Sequence, residues 1–479
     1  MYHIRQEELF SFEEIMKMTP SSKADLVLDH LPIGKILLAV SKNSRLGHPE
    51  ELNTRAMVYS LIIAKMEHIT FTKDLVERLK NSDEFRIRCR FTGSDRIPSR
   101  SAYSRLNKKL EQCGILRDVQ EDLVNQAITE GFLKAKVLAV DSSHVDAFDR
   151  NPRLNENSSP TEPTQETAEP TFLDEAAPNT TPKLEKPKRT KRGRIPKAEE
   201  AAWRAEVEAY NASLSLFERE IADMLPASYD ELIADMPQYA STGAKGDPRG
   251  VRRAKFWYGY KVNLLVDCPS QYIVCGVTCS AHVNDQRPAI VLLKYLKEHM
   301  PHIRPDYILG DKGYDGESVY RQIRDVGAFP MIPLIHRGKL PEGVDKHFRP
   351  TCKQGHSYVY DSYDGKRDTI KFTRPKECDS CPFQADGCQK VFKFRIEEDI
   401  RKYTAPGRGS EKFKELFKQR TAVERVFAYL KLYMGLASSR KLKSRAFVDL
   451  DLSCLTYNLC KLALDRLNKS IQKTQQRAS

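Results

Sequence analysis

The sequence predicts a mixed α/β sheet interrupted by large insertions and preceded by an all-helical region. Three observations carry this. Residues 1–135 hold apolar residues at helical spacing, as in Ala56–Met66 (AMVYSLIIAKM). Two short apolar runs, Val137-Leu-Ala-Val-Asp141 and Tyr307-Ile-Leu-Gly-Asp311, read as buried strands that end in a carboxylate. Between 255 and 335 strand and helix patterns alternate, and helical spacing returns after Gly409.

In the helical region Thr72 can cap a helix carrying Leu75, Val76 and Leu79. Ser99, after Pro98, can cap SRSAYSRLNKKLEQ, and Leu116–Glu130 continues to a stop at Gly131. The helix after Pro98 is read as exposing Arg100, Arg105, Lys108 and Lys109, with Tyr103 among them. Several short helices with a late basic one suit a helix-turn-helix-like DNA binder, and equally a solvated basic helix in a bundle.

After Arg150 the composition changes. Residues 151–200 hold eight Pro and one aromatic, Phe172, so this stretch is expected to be a disordered insertion. It is acidic first, with Glu162, Glu166 and Asp174 among others, then basic over residues 183–197. Arg192-Gly-Arg194 resembles the core of minor-groove AT-hook peptides: glycine adds no bulk, and arginine is drawn to the narrow A·T groove. A plain basic linker touching phosphates is an equal reading. Glu199–Leu225 looks like a polar helix. Lys255–Val266 and Gln271–Thr278 read as paired strands, Pro288–His299 and Glu317–Val326 as helices, and Phe329–Ile335 as a strand. Residues 338–400 break the alternation and read as a small β-rich or metal-stapled insertion. The polar tail after Leu467 is expected to fray.

Composition sets broad limits. The chain has 479 residues, with Lys+Arg 78 against Asp+Glu 65 and a net charge of +13. That length allows several domains at roughly 150 residues each. The basic excess suggests a polyanionic partner. No apolar run approaches the ~18 residues of a membrane helix, and the start lacks a signal-peptide core. The eleven cysteines, an odd number, do not suggest a disulfide framework. A reducing, cytoplasmic setting is the expectation. No glycine-rich nucleotide cradle stands out, so no nucleotide cofactor is expected.

The carboxylates carry the chemistry. Strand ends on adjacent strands share a crevice, which would bring Asp141 and Asp311 together. A third acid, Glu424, lies in FKQRTAVERVFAYLKLY, where Arg420 and Lys431 share its helix face. Carboxylates crowded in one cleft repel unless a divalent cation neutralises them, and hard oxygens favour Mg²⁺ or Mn²⁺. Two such ions about 4 Å apart can activate water or a 3′-hydroxyl at a phosphodiester. Taken singly, Arg420 and Glu424 are an ordinary i, i+4 pair and aspartates at strand ends are common.

Together, three segments resemble the DDE transposases of bacterial insertion sequences: Val140-Asp141-Ser142-Ser143-His144, Gly310-Asp311-Lys312-Gly313-Tyr314-Asp315, and Arg420-x3-Glu424-x6-Lys431, similar to that group's Tyr-x2-Arg-x3-Glu-x6-Lys signature. The likeness spans about residues 20–465 apart from the 150–250 insertion. It implies a ribonuclease H-like catalytic core over 136–150, 251–337 and 401–468. It also implies a metal-binding triad of Asp141, Asp311 and Glu424 holding two Mg²⁺ or Mn²⁺, with Arg420, Lys431 and Lys312 on DNA phosphates. Phe417 stands where the signature has tyrosine, which keeps the ring and loses the phenol. Asn284-Asp285 falls where such proteins often carry an acid.

The helical region 1–135 would then read the element's terminal inverted repeats, and the core would cleave and join DNA as a dimer or higher assembly, in a bacterial, nucleoid-associated setting. The rival readings are a metal-dependent nuclease that does not join, and a catalytically inactive DNA-binding relative. His144, three residues past Asp141, could approach the crevice or be structural.

Cys378-x2-Cys381-x6-Cys388 follows Cys352, with His356 nearby. Two thiolates two residues apart can share one tetrahedral Zn²⁺, and Cys352 or His356 can close the site. An iron–sulfur site and plain reduced thiols stay open as alternatives. Cys275, Cys279, Cys454 and Cys460 sit in apolar segments and read as core residues.

Overall fold

The computed structural model describes residues 9–41, 52–147, 187, 196–246, 255–336, 338–382, 388–436 and 443–478. The chain divides into two compact units, residues 1–149 with 238–479, and residues 150–237.

Among the described residues, the first unit opens with eight helices: α1 Phe12–Lys17, α2 Pro20–Leu28, α3 Ile33–Val40, α4 Thr54–Met66, α5 Thr72–Asn81, α6 Asp83–Arg88, α7 Arg100–Cys113 and α8 Ile115–Thr129. Local sequence sets their starts. Ser11, Asn53, Ser82 and Ser99 each accept a hydrogen bond from a first-turn amide that has no partner within its own helix. Gly114, at φ +64°, lets α7 end and α8 begin without a connecting loop.

The sheet follows: β1 Val137–Asp146, then β2 Ser241–Lys245, β3 Lys255–Asp267, β4 Ile273–Ser280, β5 Tyr307–Leu309 and β6 Phe329–Met331. Their order is β2-β3-β1-β5-β6, with β4 also on β3. β3 thus spends one edge on β1 and shares the other between β2, opposite residues 255–259, and β4, opposite residues 260–266. β1 is antiparallel to β3 and parallel to β5, and β6 is parallel to β5. This is the mixed sheet expected of a ribonuclease H-like core.

In the second unit, residues 150–237, the helices are α9 Lys197–Ser213 and α10 Tyr229–Asp235. α9 buries none of its residues, as its polar sequence implies. The basic stretch holding Arg192 and Arg194 lies outside the described residues.

In the first unit α11 Gln286–His299 packs on β3 and β4, and α12 Glu317–Asp325 packs on α11 and β6. A separate three-stranded antiparallel sheet follows, β7 Val359–Asp364, β8 Thr369–Thr373 and β9 Val391–Arg395. The chain ends with α13 Glu411–Lys418, α14 Thr421–Tyr433 and α15 Lys443–Ala478.

α15 differs from its sequence reading. The polar tail expected to fray continues as helix to Ala478. The helix packs against α1, α2, α4, α7, α8 and β4, so the amino-terminal helices and the sheet share one apolar core. Polar bonds fix its position. Arg466 donates to Glu130, Gln126 and His30. The Asn468 side chain pairs with both backbone groups of Phe10, at 2.9 Å each. Asn458 bonds both backbone groups of Ile273, at 3.1 and 2.8 Å, and the Gln120 side chain donates to the same carbonyl at 3.0 Å.

Three further readings change. The core sheet resumes at Ser241 rather than 251, because β2 pairs with the first half of β3. β1 runs five residues past Asp141, carried by its register with β3. Tyr103 is not on the exposed basic face: it is fully buried, with its hydroxyl 2.6 Å from Ser60 Oγ.

The small β-sheet module is attached through a buried ion pair. Asp315 is fully buried. It accepts two hydrogen bonds from Arg401, at 2.8 and 2.9 Å, one from the Ile335 amide at 2.6 Å and one from the Tyr320 hydroxyl at 3.1 Å. Burial pushes its carboxyl up, but these donors outweigh burial and hold it below the usual carboxylate range. Arg401→Met would leave that charge buried without its cation, so we expect a loss of about 3–5 kcal/mol of stability, measured by chemical denaturation. Because the folded carboxyl is depressed, the stability it contributes is present at neutral pH and lost as pH falls below the ordinary carboxylate range; Asp315→Asn should flatten that acid limb.

Candidate active site

β1 and β5 build the crevice. Ala139 stands opposite Leu309 in the parallel ladder, so Asp141, within β1, and Asp311, just past the end of β5, each lie two residues beyond the same register point. β5 stops at Leu309, and the chain turns through a short 3₁₀ segment, Lys312–Tyr314. Asp311 caps that turn by accepting from the Gly313 amide at 2.8 Å. Asp141 accepts from the Ser142 amide at 2.8 Å.

The third acid arrives on α14, which packs on β1 and β3. Ala422, Val423, Val426, Phe427 and Leu430 form its buried side, and Glu424 is exposed in the first turn. Arg420 precedes the helix and joins the acids: its guanidinium lies 3.4 Å from Asp141 and 2.5 Å from Glu424. The Phe417 ring lies under that guanidinium at 5.9 Å and against Phe413 at 6.1 Å. The ring in the tyrosine position therefore supports Arg420 by a cation–π contact that needs no hydroxyl.

Burial is the largest influence on Asp141 and lifts its pKa to about 6. The Ser142 amide and Arg420 oppose the rise, and the charges of Asp311 and Glu424 add to it. The charges of Asp311 and Glu424 therefore both reach Asp141, with Arg420 between Asp141 and Glu424.

Two groups that sequence reading left outside the triad close the crevice. Asp285 accepts from Lys261 at 2.9 Å and from the Ser142 hydroxyl at 3.1 Å. Tyr314 is fully buried, and burial first, then the charges of Asp141, Asp285 and Asp311, hold its phenol protonated. Both stood in quoted segments, but their convergence depends on the β4–α11 connection, which spacing does not reveal. His144 packs on Trp257, with ring centroids 5.4 Å apart.

Hard oxygen donors in one crevice, with mutual repulsion only partly offset by one guanidinium, fit a divalent cation. Asp141 and Asp311 could hold one directly. Glu424 is engaged by Arg420. Among the described residues, the cluster whose three ligand atoms all lie within 4.8 Å is instead Cys352, His356 and Cys378.

The basic residues are spread more widely. Lys312 is exposed beside Asp311, and Lys431 is half-buried toward the end of α14. On α7, Arg100, Arg105, Lys108 and Lys109 are exposed, and Lys109 also donates to the Val40 carbonyl at 2.8 Å. No helix of the described residues is long and apolar enough to cross a membrane.

Two family models match the chain. A transposase DDE domain covers residues 235–459, and a transposase domain (DUF772) covers residues 12–109. The first includes Asp311 and Glu424 but begins after the strand of Asp141, which the 150–237 unit separates from it. The place of Asp141 beside Asp311 therefore rests on strand pairing. No curated protein matches the chain. Among solved structures, the chain has a loose likeness to the cryo-EM structure of the piggyBac transposase synaptic complex with hairpin DNA. The TM-score is 0.33, with 12% identity over 97% of this chain and 82% of that one.

The raised Asp141 pKa has a consequence for stability. Between the ordinary carboxylate pKa of 3.8 and about 6, the folded chain holds a proton that the unfolded chain releases, so stability falls across that window. Asp141→Asn, which keeps the shape without the charge, should raise the melting temperature of the metal-free chain at pH 7.5 and leave it nearly unchanged at pH 4. Equal shifts at both values would show that burial does not govern this carboxyl.

Proposed function

The chain belongs to the DDE transposases of insertion sequences, and from that premise we propose that Asp141, Asp311 and Glu424 form its metal-binding triad. The pairing of β1 with β5, which sets two carboxylates at the same level beyond the parallel ladder with a raised pKa on one, carries the proposal. Transposases of this group depend on divalent metal; here the ions would be two Mg²⁺ or Mn²⁺. When bound, they supply Lewis acidity that activates water or a 3′-hydroxyl and stabilises the leaving oxygen at the phosphodiester.

The chain's own residues prepare the site. Arg420 engages Glu424 and Asp141 until a DNA phosphate offers its planar guanidinium a bidentate acceptor. Exchange of carboxylate for phosphate frees Glu424 to turn toward the two aspartates. Phe417 keeps the guanidinium in place during that exchange. Asp285, anchored by Lys261, fixes Ser142 and so the stretch of β1 beside Asp141. Lys312 and Lys431 contact flanking phosphates and give binding a salt dependence.

The helical region, with Arg100, Arg105 and Lys108 along α7, reads the terminal inverted repeats. Lys109, tied to α3, serves mainly to hold α7 in place. Arg192 and Arg194 in the basic linker add weakly specific affinity. Cutting two ends requires two sites, so the working form on DNA is at least a dimer, which cleaves the element ends and joins them to target DNA.

The test is Mg²⁺-dependent cleavage of DNA carrying the element ends. Asp141→Ala, Asp311→Ala and Glu424→Ala should each reduce cleavage by about 10³-fold or more while end binding is kept. Cleavage that survives one substitution removes that residue from the triad. Cleavage without joined products makes the protein a nuclease. Tight end binding without cleavage by the unaltered chain makes it an inactive DNA-binding relative.

A further inference from the structure

The module spanning residues 338–400 holds a second constellation, of different chemistry, that the DNA reaction does not use. Its apolar core is small: Tyr358, Ile370, Phe372, Ile396 and Ala405 are the buried residues of that cluster. Five side chains are few for a three-stranded sheet with a long β8–β9 connection, and modules of this size commonly need a covalent or metal cross-link.

Two tight turns supply the donors. In the first, the Gly355 amide donates to the Cys352 carbonyl at 2.9 Å and the Cys352 amide to the His356 carbonyl at 3.0 Å. Gly355, at φ +79°, permits a left-handed step that an L side chain resists. The turn presents Cys352 and His356 from one side of the chain, just before β7. In the second, the 3₁₀ segment Lys376–Ser380, the Cys381 amide donates to the Cys378 carbonyl at 3.2 Å. This turn lies between β8 and β9.

The two turns meet. The Cys378 thiol lies 3.9 Å from His356 Nδ1, and the donor atoms of Cys352, His356 and Cys378 all lie within 4.8 Å of one another. Cys381 and Cys388 are close enough to Cys378 to interact with it electrostatically, and the Tyr358 hydroxyl lies 3.7 Å from the Cys388 thiol. Sulfur and imidazole in tetrahedral number select zinc over the hard ions suited to the carboxylate crevice.

We propose that Cys352, His356 and Cys378 bind one structural Zn²⁺, with Cys381 or Cys388 as the fourth ligand, cross-linking the start of β7 to the β8–β9 connection. The ion contributes no chemistry to DNA. It holds the small sheet in the shape that presents Arg401 to the buried Asp315, four residues past Asp311. The ligand set differs from a four-cysteine site in giving His356 a place and leaving one thiol of the Cys381–Cys388 pair outside the shell.

The experiment uses the full chain, expressed with zinc and purified under reducing conditions. Elemental analysis should find about one zinc per chain. Exchange of the bound ion for Co²⁺ should give thiolate charge-transfer absorption and the intense visible d–d bands of a tetrahedral site. This second readout needs no variant, so it stands even where a substituted chain fails to fold. Cys378→Ser and His356→Ala should lose the zinc, while Cys113→Ser, at an exposed cysteine of the helical region, should keep it. Chelation should increase amide exchange over β7, β8 and β9 and leave β1 protected. A zinc-free chain without cobalt bands, iron with labile sulfide in its place, or full zinc content in Cys378→Ser or His356→Ala would each overturn the proposal.

Discussion

A parallel strand pair forces like charges together. Pairing β1 with β5 buries Val140 and Leu309 in the core and, by the same register, carries Asp141 and Asp311 to one crevice. Burial that stabilises the sheet therefore destabilises the charge on Asp141. The fold answers with one guanidinium, placed by α14 and supported by the Phe417 ring, that also engages Glu424. Such a site is under electrostatic load in the free protein, and the load is relieved by a cation or by protonation. Stability and function pull in opposite directions at Asp141, a trade common where charge is concentrated for chemistry.

The surroundings are built to keep that crevice in register. α15 joins the amino-terminal helices to the sheet through shared apolar packing and a set of polar bonds at Asn458, Arg466 and Asn468. Displacement of the helical region would then be transmitted to β4, which α15 touches directly. On the other side, the segment after Asp311 continues into Asp315, whose carboxylate is the anchor for Arg401. The turn that positions the second acid is thus held at both ends, by its own Asp311 cap and by the Asp315 ion pair.

Much of this was legible in the chain. Apolar runs ending in Asp141 and Asp311, and the spacing of Arg420, Glu424 and Lys431, are local patterns, and local patterns survive in a sequence. What was not legible depends on partners remote in sequence. β2 is short and polar in pattern, and it becomes a strand because β3 offers it a free edge. Tyr103 lies within a basic helix, and only its hydrogen bond to Ser60 of α4 shows that it faces inward. The tail after Leu467 lacks a strong apolar stripe, yet it stays helical as the continuation of a packed helix that is tied at Asn468 to Phe10 and at Lys469 to Glu130. His356 was one of two candidates until a glycine turn brought it beside Cys378.

The sequence by itself determined the chemical character of the protein. Carboxylates at strand ends, a basic helix face and thiols in pairs require only residue type and spacing, because those set charge, ligand softness and periodicity. Tertiary structure alone decided which groups meet. The 150–237 unit separates Asp141 from the rest of the sheet along the chain, and hydrogen bonding between β1 and its two neighbours restores the connection. Arg420 became the link between Asp141 and Glu424 by the same means. Electrostatic energy falls with distance through space rather than along the chain, so a charge site is known only when the strands are paired.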